Sequence, residues 1–185
     1  MKFCTQDIEL LYLYLNIEHS IDSTIKKEFN DLIEDAVYYH STIEEAEETV
    51  DKALKQIATE TDRDIVINNK LDQLIESNIY SKEIIGLLLL LTILAGDYGY
   101  TQAKQIFIHK VAIKSNIDMN MFAEKEDSLQ TIFTVAYFSH WLQEKGESMP
   151  YKDEYLSETE ANGEVLMNNL FEGTEDIYNI FIKED

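Results

Sequence analysis

Along almost the whole chain the apolar residues recur every three or four positions, the spacing that lines one side of an α-helix. Ile21, Ile25, Phe29, Leu32, Ile33, Ala36 and Val37 follow it, and so do Ile43, Ala46, Val50, Ala53, Leu54 and Ile57. Both segments predict amphipathic helices. The second opens with Ser41-Thr42-Ile43-Glu44, a pattern in which the serine and glutamate side chains satisfy each other's orphan backbone donors. Further helices are predicted over Thr5 to Ile17, Asp64 to Ser77, Ser81 to Ala95, Thr101 to Ser115 and Ser128 to Lys145, with a C-terminal pair around Val165 to Phe171 and Thr174 to Lys183. In the segment ending at Lys145, Leu129, Ile132, Phe133, Ala136, Tyr137 and Trp141 form the expected core stripe. Strand-like runs are confined to Ile65-Val66-Ile67 and Ile177 to Ile182, and each also fits a helix. Short polar turns make consecutive helices antiparallel neighbours, so the expected fold is all-α, a compact antiparallel bundle of about eight or nine helices.

Ile84 to Ala95 carries no charge and reads as a buried helix at the centre of this bundle, near residues 84–95. Its length falls well short of the roughly 20 apolar residues needed to span a bilayer. The candidate boundary is Gly146-Glu147-Ser148-Met149-Pro150, where a glycine and the sole proline stop the long helix. Residues 1–146 are therefore expected to form the bundle, and 147–185 an acidic helical extension packed on it within a single domain.

Composition narrows the function. A chain of 185 residues buries enough apolar surface to hold a core without crosslinks. Cys4 is the only cysteine, which excludes an intrachain disulfide and multi-thiolate metal sites and suits a reducing compartment. Asp7 and Glu9 stand where a signal peptide would place an apolar run, so the expected location is cytoplasmic. The net charge of −21 repels phosphate and argues against both nucleic acid and an anionic membrane as ligands. A basic protein or a cation is the natural complement.

The acids are unevenly spread. From Asp31 to Asp64 there are 11 acids and three bases, and from Glu144 to Asp185 there are 12 acids and three bases, whereas Lys82 to Asp118 holds three acids and four bases. Glu44, Glu47, Glu48 and Asp51 follow i, i+3, i+4, i+7 spacing and predict one carboxylate stripe opposite the apolar face. That stripe suits a solvated face or a template for a basic partner. Tyr38 and Tyr39 beside it, and Tyr151, Tyr155 and Tyr178 in the second block, favour the template, because tyrosine supplies contact area at low entropic cost; the candidate contacts are the four stripe acids with Tyr38, Tyr39, Tyr151, Asp153, Glu154 and Tyr155.

Catalytic signatures do not emerge. His19, His40, His109 and His140 fall on four predicted elements without metal-binding spacing, and His140 with Glu144 suits a surface pair. Arg63 is the only arginine, which disfavours phosphate-clamping chemistry. Glu158-Thr159-Glu160-Ala161-Asn162-Gly163 offers a weak cation-loop pattern, lacking a glutamate at its twelfth position, where Asn169 stands. The expectation is a non-enzymatic protein without a cofactor that binds a basic protein, as an inhibitor or immunity-type neutraliser of a nuclease or other nucleic-acid-handling protein.

Leu87 to Asp118 supplies one resemblance. The run Leu87-Leu88-Leu89-Leu90-Leu91-Thr92-Ile93-Leu94-Ala95-Gly96-Asp97-Tyr98-Gly99-Tyr100, followed by Ile106, Phe107, Val111 and Ile113 and then Asn116-Ile117-Asp118, resembles the core hairpin of TerB-like all-α bacterial proteins. The resemblance implies an alternative function, a divalent-cation-binding module of stress and tellurite resistance, with Asp97 as its metal-binding position. The turn here is Ala95-Gly96-Asp97-Tyr98-Gly99 rather than the family's contiguous Ala-Asp-Gly, and Ala103 or Lys104 stands in place of its glutamate.

Overall fold

The computed structural model describes residues 2–17, 21, 23–34, 37, 39–55, 57, 60–94, 100–146 and 148–171. These are helical: α1 (Thr5–Leu15), α2 (Ser23–Ile33), α3 (Ser41–Leu54), α4 (Glu60–Ser77), α5 (Lys82–Leu94), α6 (Gln102–Lys114), α7 (Met119–Lys145) and α8 (Lys152–Phe171). Among the described residues the one β-type pairing is an isolated parallel bridge between Phe3 and Val37. No described helix is long and apolar enough to cross a membrane. The chain divides into two compact units, the first built on residues 1–117 and the second on 118–175. That division falls at Ile117–Asp118 rather than near Gly146, and it puts α7 and α8 in one unit.

In the first unit, α1 packs against α3, α4 and α5, and it is buried without interruption from Ile8 to Leu15. α5 contributes Ile84, Ile85 and Leu87 to Leu91, all buried. Removing a leucine side chain from water is worth roughly 1.5–3 kcal/mol, so these two helices supply much of the unit's driving force. Several polar groups carried inward by α1 and α5 find partners, whereas the buried Tyr80 hydroxyl has no hydrogen-bond partner among the described residues. Thr92 donates to the Leu88 carbonyl at 2.9 Å and its hydroxyl meets that of Tyr14. Tyr12 donates to Asn30 Oδ1 and packs edge-on against Phe29, with ring centroids 5.1 Å apart. Buried Glu9 is neutralised by Lys70 at 3.3 Å. Arg63 clamps the end of α1, donating from Nε to the Asn16 carbonyl and from Nη2 to Asn16 Oδ1, both at 2.9 Å.

The helix ends explain the boundaries. Cys4 caps α1, and its backbone N–H donates to Asp7 Oδ2 at 2.9 Å. The capping pattern expected at Ser41 does not form. Ser41 is already inside α3, and His40 at the cap has helical backbone angles and no side-chain cap bond. α6 ends with Asn116 at φ 55°; Asn116 N–H donates to the Ile113 carbonyl at 3.2 Å and Ile117 N–H to that of Ala112 at 3.1 Å, the paired bonds of a Schellman stop. Asp118 Oδ1 then accepts from the Asn120 backbone N–H at 2.9 Å and starts α7 nine residues ahead of the expected Ser128. Asn-Ile-Asp is thus a stop followed at once by a start.

The second unit is a helical hairpin. Phe122, Leu129, Ile132 and Leu142 of α7, with Thr159 and Leu170 of α8, form its buried positions. Lys125 Nζ donates to the Leu170 carbonyl at 2.7 Å near one end, and Lys152 Nζ to the Gln143 carbonyl at 3.3 Å near the other. The two ties share one antiparallel register. α7 ends at Gly146, whose φ of −85° is an ordinary right-handed value. Its glycine is required by proximity instead, since a Cβ there would lie 2.5 Å from the Leu142 carbonyl oxygen.

Candidate surface for a basic partner

The hairpin seam selects which aromatic residues remain outside. On α7 the buried positions run through Leu129, Ile132 and Leu142, so Tyr137 and Trp141 are not in the core stripe expected for them. Tyr137 is 74% exposed and Tyr151 70%, and Phe138, Trp141 and Tyr155 are each about two-fifths exposed. Phe138 and Trp141 stack nearly parallel, with centroids 6.1 Å apart and an interplanar angle of 13°. The register set by Gln143 and Lys152 brings Tyr151 and Tyr155 to the same end of the hairpin as this pair. Helical phasing turns Phe138 and Tyr155 about a quarter turn off the seam toward the same side. Tyr151 occupies the left-handed region at φ 63°, an uncommon conformation for a bulky side chain, at the turn that leads into α8.

The unit that carries these rings is acidic. Residues 118–175 hold 13 acids against three lysines and no arginine. Asp153, Glu154, Glu158, Glu160 and Glu164 are exposed along α8. Of the expected partner-binding residues, Tyr151, Asp153, Glu154 and Tyr155 are therefore gathered at one end of the hairpin unit. The sequence reading missed Tyr137, Phe138 and Trp141 as surface groups. The signal lay in Asp118, because a helix capped there carries a seam through Phe122, Leu129, Ile132 and Leu142 that leaves Tyr137 outside.

The α3 carboxylates lie in the first unit and divide into two pairs. Glu44 and Glu48 are exposed. Glu48 pairs with Lys52 at 2.7 Å, and this hydrogen bond holds its carboxyl below the usual carboxylate range. Glu47 and Asp51 are half-buried. Glu47 forms an ion pair with Lys26 and accepts from the Tyr12 hydroxyl at 3.5 Å. Tyr39 is exposed. Tyr38, Asp97 and Tyr178 lie outside the described residues.

Other candidate chemistry is weaker. Glu158 to Gly163 lie inside α8, so their side chains spread around a continuous helix and do not form the cation loop considered from sequence. Among the described residues no group of three or more histidine, cysteine or acidic side chains could hold a metal ion. His140 and Glu144 form the expected exposed pair at 3.3 Å. Cys4 is exposed, and partial burial pushes its thiol upward, away from the reactive thiolate. A cleft of about 250 Å³ in the first unit is walled by Ile17, Ile67, Ile106 and Phe107 and edged by Asp64 and Gln102. It is smaller than the roughly 300–1,000 Å³ of ordinary ligand pockets. No protein-family model matches the chain, and no curated protein or solved structure matches it either.

Proposed function

We propose that this protein is a non-enzymatic, cytoplasmic binder of a basic protein, acting as an inhibitor or immunity-type neutraliser of a nuclease or other nucleic-acid-handling protein. The observation that carries this reading is the unequal use of the two charge signs. Eight of the 15 basic side chains serve intramolecular bonds: Lys2 to the Val37 carbonyl, Arg63 to Asn16, Lys125 and Lys152 to the hairpin backbone, and Lys26, Lys52, Lys70 and Lys110 to carboxylates. Glu44, Asp153, Glu154, Glu158, Glu160 and Glu164 stand exposed, with no ion pair to a described residue. About half of the basic side chains are thus tied to the fold, and with 36 acids against 15 bases the balance facing outward is strongly negative. A phosphate-binding surface on another protein is the complement of such a face, and opposite charge accelerates encounter while rejecting acidic partners.

The test is calorimetric titration against a basic ribonuclease and a basic deoxyribonuclease, with lysozyme as a cationic protein that handles no nucleic acid and an acidic protein of similar size as control. Binding of a nuclease should inhibit it, weaken steeply as salt rises and be displaced by nucleic acid. Equal affinity for lysozyme would reduce the effect to bulk charge. A salt-independent response would remove charge complementarity as its basis.

A further inference from the structure

We propose that the turn end of the α7–α8 hairpin is the docking surface, and that its occupant is a basic amphipathic helix of the partner protein. This rests on the basic-partner reading and names the surface and the kind of segment it takes. Two helices can bury only the seam between them, and here that seam is already filled by Phe122, Leu129, Ile132, Leu142 and Leu170. Apart from Tyr137, which is phased to the back of α7, the aromatic groups left over are concentrated at one end and on one side of the pair. Phe138 is stacked on Trp141, and Tyr155 is phased toward the same side, with Tyr151 at the adjoining turn. A third helix laid along the groove between two helices is the ordinary way to cover such a side, with apolar anchors at i, i+3, i+4 and i+7.

Charge decides the occupant. The hairpin unit carries 13 acids against three lysines, and Lys125 and Lys152 are turned onto backbone carbonyls of the hairpin itself. A second copy would bring the same excess of acids to the contact and be repelled. A helix with leucine-type residues on one face and lysine or arginine flanking them places apolar side chains on the aromatic rings and cations toward Glu158, one turn from Tyr155, and Glu154 next to it. Arginine and lysine also gain from the faces of tryptophan and tyrosine rings. The aromatic rings provide the anchors, and the carboxylates select the sign.

Trp141 is the only tryptophan in the chain, so its fluorescence reads this surface directly. The experiment titrates the full chain with a synthetic leucine–lysine amphipathic helix. A second peptide has the same composition with its periodicity scrambled, and a third has glutamate in place of lysine. The amphipathic cationic peptide should give a saturable blue shift of Trp141 emission, the scrambled peptide should bind about tenfold more weakly, and the anionic peptide should give no shift. Phe138→Ala and Tyr155→Ala should each weaken the first peptide by about fivefold while leaving the helical circular dichroism unchanged. Glu154→Gln with Glu158→Gln should weaken binding and flatten its salt dependence.

The outcomes separate this proposal from the reading beneath it. Calorimetric binding of the cationic peptide with Trp141 emission unmoved, or undiminished by Phe138→Ala and Tyr155→Ala, would place the contact elsewhere and overturn the docking surface alone. Failure of the nucleases and all cationic peptides to bind would overturn both. A blue shift that grows with protein concentration in the absence of peptide, accompanied by dimer in light scattering, would assign the face to a second copy.

Discussion

The two units use the same residue types in opposite ways. In the first, Tyr12, Tyr14, Tyr80, Phe29 and Phe107 are buried, and Tyr14 packs on Phe107 with ring centroids 5.3 Å apart. In the second, Tyr137, Phe138, Trp141, Tyr151 and Tyr155 face outward. The difference follows from how many helices are available to cover each side chain. α1 has α3, α4 and α5 around it and buries both its apolar and its amphipathic residues. α7 has one packing partner within its unit, α8, and keeps only a seam. Most aromatic side chains of the first unit therefore stabilise its core, whereas in the second Phe122 is buried and the rings near the turn stay exposed.

The strongest way to break this contrast is to cut the buried leucine run. Leu88 is fully buried, and Leu88→Ala is expected to lower unfolding stability by about 2–5 kcal/mol, whereas Phe138→Ala should cost less than about 1 kcal/mol. Urea denaturation followed by circular dichroism compares them. Similar midpoints for the two variants would mean that the outward rings carry as much of the fold as the inward leucines.

Alkaline pH should act on the first unit. Burial, followed by the nearby Glu47 carboxylate, holds the Tyr12 phenol well above the ordinary tyrosine range, and burial does the same for Tyr80. Folding then favours the neutral phenol. This stabilisation is complete below the unfolded value of about 10 and is lost as pH rises toward the folded value. Tyr12→Phe removes its bond to Asn30 and should cost about 1–2 kcal/mol at neutral pH, while making the alkaline decline shallower. An unchanged slope in denaturant midpoints from about pH 9 to 11 would show that Tyr12 does not drive the decline.

Tyr151 carries a local backbone cost in the second unit. Its left-handed backbone, at φ 63°, suits glycine, so Tyr151→Gly should raise stability by up to about 1 kcal/mol even after glycine's greater unfolded-state freedom. The same change should weaken the cationic peptide. A variant that gains stability and binds as well as the parent would remove Tyr151 from the docking surface.

Gly163 is a smaller case inside α8. A Cβ there would meet Val135 Cγ1 at 3.9 Å, an ordinary contact, so Gly163→Ala is expected to stabilise the hairpin unit by about 0.5–1 kcal/mol. Thermal unfolding read at Trp141 measures it, and a lower melting temperature would show a tighter seam than this spacing allows.

The smallest effect lies on α3. Exposed Glu44→Gln should change stability by less than about 0.5 kcal/mol. Glu47→Gln should cost measurably more, because Lys26 and Tyr12 lose a charged partner. Equal effects would restore the four carboxylates to one solvated stripe.

Sequence periodicity alone determined the helical class and the approximate extents of α1 through α6, because a segment with an apolar side every three to four residues buries it best as a helix. Composition alone fixed the negative sign of the net charge, since 36 acids against 15 bases leave an excess of carboxylates in any fold. Periodicity could not decide which stripe of α7 would be inward: Leu129, Ile132, Phe133, Tyr137 and Trp141 are all apolar or aromatic at helical spacing. The choice came from tertiary pairing with α8, whose seam buries Leu129, Ile132 and Leu142 and leaves the rings outside. Tertiary pairing also divided the α3 carboxylates, because Lys26 and Tyr12 reach Glu47 from other helices, across sequence separations that no local pattern encodes.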